Sequence, residues 1–171
     1  MKTYTVTVDD EGTKRWYLNN NFHRVDGPAV EYADGTKCWY LDGKRHRVDG
    51  PAIEWADGSK YWYLNGKRHR TDGPAVEYTD GTKCWYLDDK LHRVDGPAME
   101  CYNGSKYWFL NDKFHRTDGP AIELPSGTKY WFLNGVEYTE SEWSKQTQKV
   151  KSSCVGKIVE IDGVKYKLVE A

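Results

Sequence analysis

An all-β fold is predicted: an elongated antiparallel meander of about five to six tandem two-strand repeats, with a short C-terminal helix and a terminal hairpin. Three observations predict it. Tryptophan returns at Trp16, Trp39, Trp62, Trp85, Trp108 and Trp131, each step 23 residues. All five histidines (His23, His46, His69, His92, His115) and five D-G-P-A tetrads, the first at Asp26–Ala29, keep the same step. Finally, short runs of β-forming residues alternate with turn dipeptides, and no part of the array carries a 3.6-residue period. A fixed period of this length marks one supersecondary unit per repeat. Such a unit buries its apolar face only against its neighbours.

The elements follow in order. Tyr4–Val8 reads as a leading strand, closed by a turn at Glu11-Gly12. In each repeat a W-Y-L run and an A-(V/I)-E-(Y/W) run supply two strands, giving about ten to twelve strands in all. Asp34-Gly35, Asp57-Gly58, Asp80-Gly81, Asn103-Gly104 and Ser126-Gly127 mark one set of turns; Asp42-Gly43, Asn65-Gly66 and Asn134-Gly135 mark the other. Such dipeptides reach positive φ at low cost. Two registers are open for the first hairpin, pairing Val30 with Trp39 or Glu31 with Lys37. The second is favoured because it opposes charges at Glu54/Lys60, Glu77/Lys83, Glu100/Lys106 and Glu123/Lys129. A 46-residue beat overlies the short one, with Asp42, Asn65, Asp88 and Asn111 alternating. Duplication of a two-repeat unit is the favoured account; the other is that successive hairpins face slightly different surroundings. The array is bounded as residues 1–135, and a cap as residues 136–171. In the cap, Thr139-Glu140-Ser141-Glu142 opens a helix through about Val150. A polar linker, Lys151–Gly156, and a closing hairpin around Asp162-Gly163 follow.

Composition narrows the function classes. The chain has 171 residues, 25 basic and 26 acidic, in an interleaved pattern that argues against nucleic acid. No apolar run is long enough to span a bilayer, and Met1–Asp10 lacks a signal-peptide pattern, so the expected compartment is the cytoplasm. The four cysteines are expected as free thiols. Cys38 and Cys84, two repeats apart, would lie ~19 Å from each other at ordinary strand spacing. Aromatics make up 15% of residues and must supply much of the core, as rows of Trp and Tyr rings across the sheet. Left uncovered, such a row would be a docking stripe for a partner.

The recurring constellation is H-R-x-D-G-P-A. Proline suits the first position of a strand, and glycine permits the bend before it. Arginine and aspartate two residues apart could close a charge clamp, as at Arg47/Asp49 and Arg70/Asp72. Asp49, Gly50 and Pro51, with Asp72, Gly73 and Pro74, are the structural members of the motif. The candidate binding residues are His46, Arg47, His69, Arg70, His92 and Arg93, together with Trp39, Trp62 and Trp85. Histidines two strands apart stand ~9–10 Å from each other, too far to share a metal ion. No nucleophile elbow, metalloprotease helix or phosphate loop is present, so the chain is not expected to be an enzyme or to need a cofactor.

The stretch N-G-K-R-H-R-T-D-G-P-A-V-E-Y-T-D-G (Asn65–Gly81) resembles MORN repeats, a family of 23-residue β-hairpins, in the bacterial and viral variant with a G-P-x-x-E-Y-x-x-G core. The likeness covers about Glu11–Gly135. It implies an elongated, twisted antiparallel sheet and a binding or scaffolding role; bacterial variants include proteins labelled as antitoxins, and phage genomes carry tandem copies. The H-R-x-D-G loop departs from the family's shorter H-G and adds an Arg and an Asp. Noncovalent binding of another protein is therefore the favoured function, with a phage counter-defence or antitoxin-like role if the source is phage or bacterial. A viral source would place it in the host cytoplasm. The alternative is a small anionic ligand, a nucleotide or phosphoinositide, held by the His-Arg edge. Self-assembly through an edge strand is a third reading.

Overall fold

The computed structural model describes residues 3–154, 158–161 and 164–167. Its centre is a 14-stranded antiparallel sheet in which the repeats follow one another in chain order, a meander without crossovers. The leading strand, Tyr4–Val8, pairs with Lys14–Leu18 and has every residue exposed. From there the ladder runs through Val30–Glu31, Lys37–Cys38, Ile53–Glu54, Lys60–Tyr61, Val76–Glu77 and Lys83–Cys84 to Lys129–Leu133.

The predicted register is the one observed: Glu31 faces Lys37, and Val30 faces Cys38. Tyr32 N–H donates to the Thr36 carbonyl at 2.9 Å, and Gly35 has φ 94°, so a three-residue loop with a glycine bulge closes the hairpin. Because Lys37 also faces Glu54, one side of the ladder alternates lysine and glutamate from Lys14 to Lys129. The other side carries Val30, Cys38, Ile53, Tyr61, Val76, Cys84, Met99, Tyr107, Ile122 and Tyr130.

In the first and last copies the W-(Y/F)-L run lies in one strand, Lys14–Leu18 and Lys129–Leu133, but in the four between them it does not. The ladder strand ends at Cys38, and a second short strand, Tyr40–Leu41, pairs with Lys44–Arg45 of the same repeat. The same break falls at Trp62, Trp85 and Trp108. Trp39 is where the backbone changes partner: its N–H donates to the Ala52 carbonyl beyond the H-R-x-D-G-P loop, and its carbonyl accepts from His46 N–H before that loop. A repeat therefore holds four short strand pieces where two longer strands were expected. The second hairpins turn on two consecutive left-handed residues, such as Asp42 (φ 50°) and Gly43 (φ 77°).

The core is thin and partly aliphatic. Ala29, Ala52, Ala75, Ala98 and Ala121 are fully buried, and Val30, Cys38 and Ile53 form a cluster that Phe22, Tyr40, Tyr61 and Tyr63 cover. A chain of rings runs along this cover, with Tyr17–Phe22 at 5.0 Å and Phe22–Tyr40 at 5.2 Å. In the middle repeats arginine replaces one ring of each pair, with Arg45 over Tyr63 at 5.4 Å and Arg68 over Tyr86 at 3.9 Å. Rings return at Phe109–Phe114, 4.2 Å, and Phe114–Phe132, 5.1 Å. The tryptophans of the repeats do not stack on one another, contrary to the expected row. Each of the five from Trp16 to Trp108 packs against an arginine.

Cys38 and Cys84 are buried free thiols, and burial pushes both up to about 11. At pH 8 each should therefore alkylate at least ~100-fold more slowly in the folded protein than in denaturant, where a thiol titrates near 8.5. Mass spectrometry of iodoacetamide-treated peptides measures this; equal rates would mean the thiols are open to solvent.

The helix spans Glu140–Cys154, longer than expected, so the first part of the predicted linker is helical and residues 155–156 lie outside the described residues. Its capping box is formed as predicted: Glu142 N–H donates to Thr139 Oγ1 (3.3 Å), and Thr139 N–H donates to Glu142 Oε2 (2.9 Å). Ile158–Ile161 pairs antiparallel with Val164–Lys167; the predicted turn between them at residues 162–163 lies outside the described residues.

Candidate functional site

Each H-R-x-D-G-P loop is built around its arginine. The Arg47 guanidinium lies over the Trp39 ring at 4.1 Å, and the other four repeats repeat this at 3.9–4.1 Å. Arg47 Nε donates to Asp49 (3.1 Å), while Nη1 donates to the Pro51 carbonyl (3.2 Å) and to Glu54 (2.9 Å). Arg24, Arg70, Arg93 and Arg116 make the same three bonds. The expected Arg–Asp clamp is thus present in every loop. Glutamate was expected to find its ion-pair partner in lysine across the strands. Among the described residues its partner is the arginine seven positions earlier, because the loop folds back over the sheet and brings a planar fork to the carboxylate.

This packing corrects the role of the motif glycine. Gly50, Gly73 and their equivalents do not have positive φ. A Cβ at Gly50 would lie 2.9 Å from Arg47 Cζ, and the contact is 2.7–2.9 Å in all five loops. Glycine is needed so that the guanidinium can lie flat between the loop backbone and the indole.

The histidines tie neighbouring repeats together. Nδ1 of His23, His46, His69 and His92 lies 2.9–3.0 Å from Oδ1 of Asp42, Asn65, Asp88 and Asn111 respectively, each in the turn of the following repeat. The 46-residue beat therefore has a structural counterpart: carboxylate and amide partners alternate along the seam. Among the described residues no group of three or more His, Cys, Asp or Glu converges for a metal ion.

Between consecutive loops lie four equivalent open clefts. One, of about 650 Å³, is lined by Arg24, Asp26 and Pro28 of one loop and by Trp39, Leu41, His46, Arg47 and Asp49 of the next repeat. The next two bring together Asp49, Gly50, Pro51, Trp62, His69 and Arg70, then Asp72, Gly73, Pro74, Trp85, His92 and Arg93. The fourth lies between the Arg93 and Arg116 loops. All the predicted binding residues border these clefts. The leucines Leu41, Leu64, Leu87 and Leu110, and Trp108, also border them and were missed. The leucines follow tryptophan by two residues in every copy, but nothing local to the run says that they turn toward the loops.

The clefts differ in kind from an anion site. The arginine side chains are only 19–23% exposed and already hold two carboxylates each, whereas the loop aspartates are 78–85% exposed. The bond from the neighbouring arginine holds Asp26, Asp49, Asp72 and Asp95 below the usual carboxylate range. Carboxyls whose pKa is lower folded than unfolded contribute stability that is present above the unfolded value, near 3.9, and is lost as pH falls through the folded value. The melting temperature should therefore hold from pH 7 to about 5 and fall below about pH 4. Circular dichroism melts of Asp49→Asn/Asp72→Asn/Asp95→Asn should show a shallower acid limb; an unchanged limb would remove these pairs from the acid response.

At the C-terminal end of the array the pattern closes. Thr139 stands where the other repeats have arginine, and Trp143 of the helix packs on Trp131 at 4.6 Å. Its Nε1 donates to the Arg116 carbonyl at 2.9 Å, so the helix is pinned to both the last loop and the last tryptophan.

No protein-family model matches the chain, and no curated protein matches it. Among the described residues no helix is long and apolar enough to cross a membrane. The fold thus defines an all-β tandem-hairpin repeat protein.

Proposed function

We propose that this chain is a noncovalent protein-binding scaffold that uses its loop edge. The observation that carries the proposal is the row of four equivalent clefts, each with a half-buried tryptophan and a partly exposed leucine beside polar loop groups. Aromatic side chains in shallow polar-rimmed depressions are the usual anchors of protein interfaces. Exposed valines at the loop tips, Val25 (82%), Val48 (83%) and Val94 (86%), add apolar surface next to the clefts. The alternative, a nucleotide or phosphoinositide gripped by His46, Arg47, His69, Arg70, His92 and Arg93, is disfavoured. The guanidinium groups that would hold the anion are already engaged by aspartate and glutamate, and the rim exposes carboxylates.

The period and the G-P-x-x-E-Y core support placing the chain among MORN-like repeats. A cytoplasmic antitoxin-like or phage counter-defence role follows from that resemblance alone. The test is affinity capture from native lysate with the wild-type chain and with Val48→Arg/Thr71→Arg/Val94→Arg, which fills the cleft mouths at exposed positions. A stoichiometric protein held by the first and lost by the second is expected. Equal capture by both, or capture of nothing stoichiometric, overturns the loop-edge assignment.

A further inference from the structure

The clefts restrict the chemistry of the partner; this inference rests on the protein-binding reading above. Their floors are apolar, from Trp39 and Leu41, Trp62 and Leu64, Trp85 and Leu87, and Trp108 and Leu110. Their rims carry the loop aspartates, each bonded to arginine Nε through one oxygen, Oδ1, with the side chain otherwise largely open to water. The positive charges of the loops are turned inward, so the sign presented at each mouth is negative. A side chain with an apolar stem and a cationic head suits such a site: the stem lies on the indole and leucine, and the head meets the carboxylate.

Spacing then selects the backbone that carries these side chains. Each repeat advances the ladder by two strands, about 9.4–9.8 Å at ordinary strand spacing. A polyproline helix has three residues per turn and rises 3.1 Å per residue, so every third side chain returns to the same face after about 9.3 Å. Over the three intervals between four clefts the mismatch is about 1 Å. In a β-strand every third residue points to the opposite face. In an α-helix the nearest same-face step is seven residues, about 10.5 Å, and the error accumulates to about 3 Å. Polyproline segments also dock on aromatic-lined grooves with little ordering cost, because their conformation is preformed.

We infer that the loop edge receives an extended, polyproline-type segment of the partner bearing lysine or arginine at every third residue, one cation per cleft. Because the four sites lie in a row, affinity grows with the number of correctly spaced cations.

The experiment is calorimetric titration of the full chain with three synthetic peptides: four tandem Lys-Pro-Pro units, a composition-matched peptide with its four lysines contiguous, and the first peptide with glutamate for lysine. The periodic lysine peptide is expected to bind at least 10-fold more tightly than the contiguous one. The glutamate peptide is expected not to bind. In Asp49→Asn/Asp72→Asn/Asp95→Asn the periodic peptide should lose at least 10-fold in affinity; asparagine still accepts from arginine, and an unaltered circular dichroism spectrum checks the fold. Equal affinity for the two lysine peptides would reduce the effect to net charge and overturn the inference. Tighter binding of the glutamate peptide, or no binding of the periodic one, would also overturn it. The outcomes separate from those of the capture experiment. A partner lost on cleft blockage whose contacting segment lacks the basic spacing sinks this inference alone, while a partner indifferent to cleft blockage sinks the loop-edge reading itself.

Discussion

Trp62→Ala is expected to destabilise the protein by about 3 kcal/mol, at the lower end of the range for a packed tryptophan because the ring is only half buried. The ring supports Arg70 from one side at 4.1 Å, and Gly73 backs it on the other. Without the indole the guanidinium loses a cation–π contact, which adds about 0.5–1 kcal/mol. The backbone bond from Trp62 N–H to the Ala75 carbonyl survives the substitution, so the change isolates the side chain. Trp62 lies in the middle of a nearest-neighbour array, so the unfolding transition should also broaden as the two halves uncouple. Urea melts followed by circular dichroism measure both effects. A loss under 1 kcal/mol would mean that the indole is a surface group rather than the support of the loop.

Ile53→Ala should cost a similar amount, about 2–4 kcal/mol, for a different reason. Ile53 is 1% exposed, faces Cys38 on one strand and Tyr61 on the next, and belongs to the cluster roofed by Phe22, Tyr40, Tyr61 and Tyr63. The core is a single thin layer, and the flanking rings are anchored in separate hairpins, so the void closes poorly. Ile53→Val removes one methylene and should cost about 0.5–1.5 kcal/mol. Equilibrium denaturation of the pair tests the gradient; equal costs would show that the site collapses around the vacancy.

Much of this fold was legible because it is written locally. The hairpin register followed from placing Glu31 opposite Lys37, and the helix start from Thr139 and Glu142. The Arg–Asp clamp was legible from two residues separated by one. What could not be read depends on how strands and loops distant along the chain come to lie side by side. Trp16 and Trp39 make the same bonds, to Ala29 and Ala52, yet the strand breaks only at Trp39, because Tyr4–Val8 pairs along the whole of Lys14–Leu18, and nothing in W-Y-L announces that difference. Likewise Glu54 has a lysine across the strand on each side, and only the return path of the loop brings Arg47 to it instead. The residues named from the sequence therefore fall together along the clefts, while the charge state of that edge was not legible. Arg47, Arg70 and Arg93 border the clefts, but their guanidinium groups are spent on the scaffold.

The histidine seam has a bearing on how such a chain can change its length. The first four joints use the same histidine Nδ1 and the same side-chain Oδ1, and the partner at that contact alternates between acid and amide. Excising a single cassette, Lys60–Thr82, would join Ser59 to Lys83 and set His46 against Asp88 where Asn65 had been. Excising two restores the original alternation. Growth or shrinkage by pairs keeps the alternation at the histidine contacts, and growth or shrinkage by one leaves a single contact out of phase whose position marks the event.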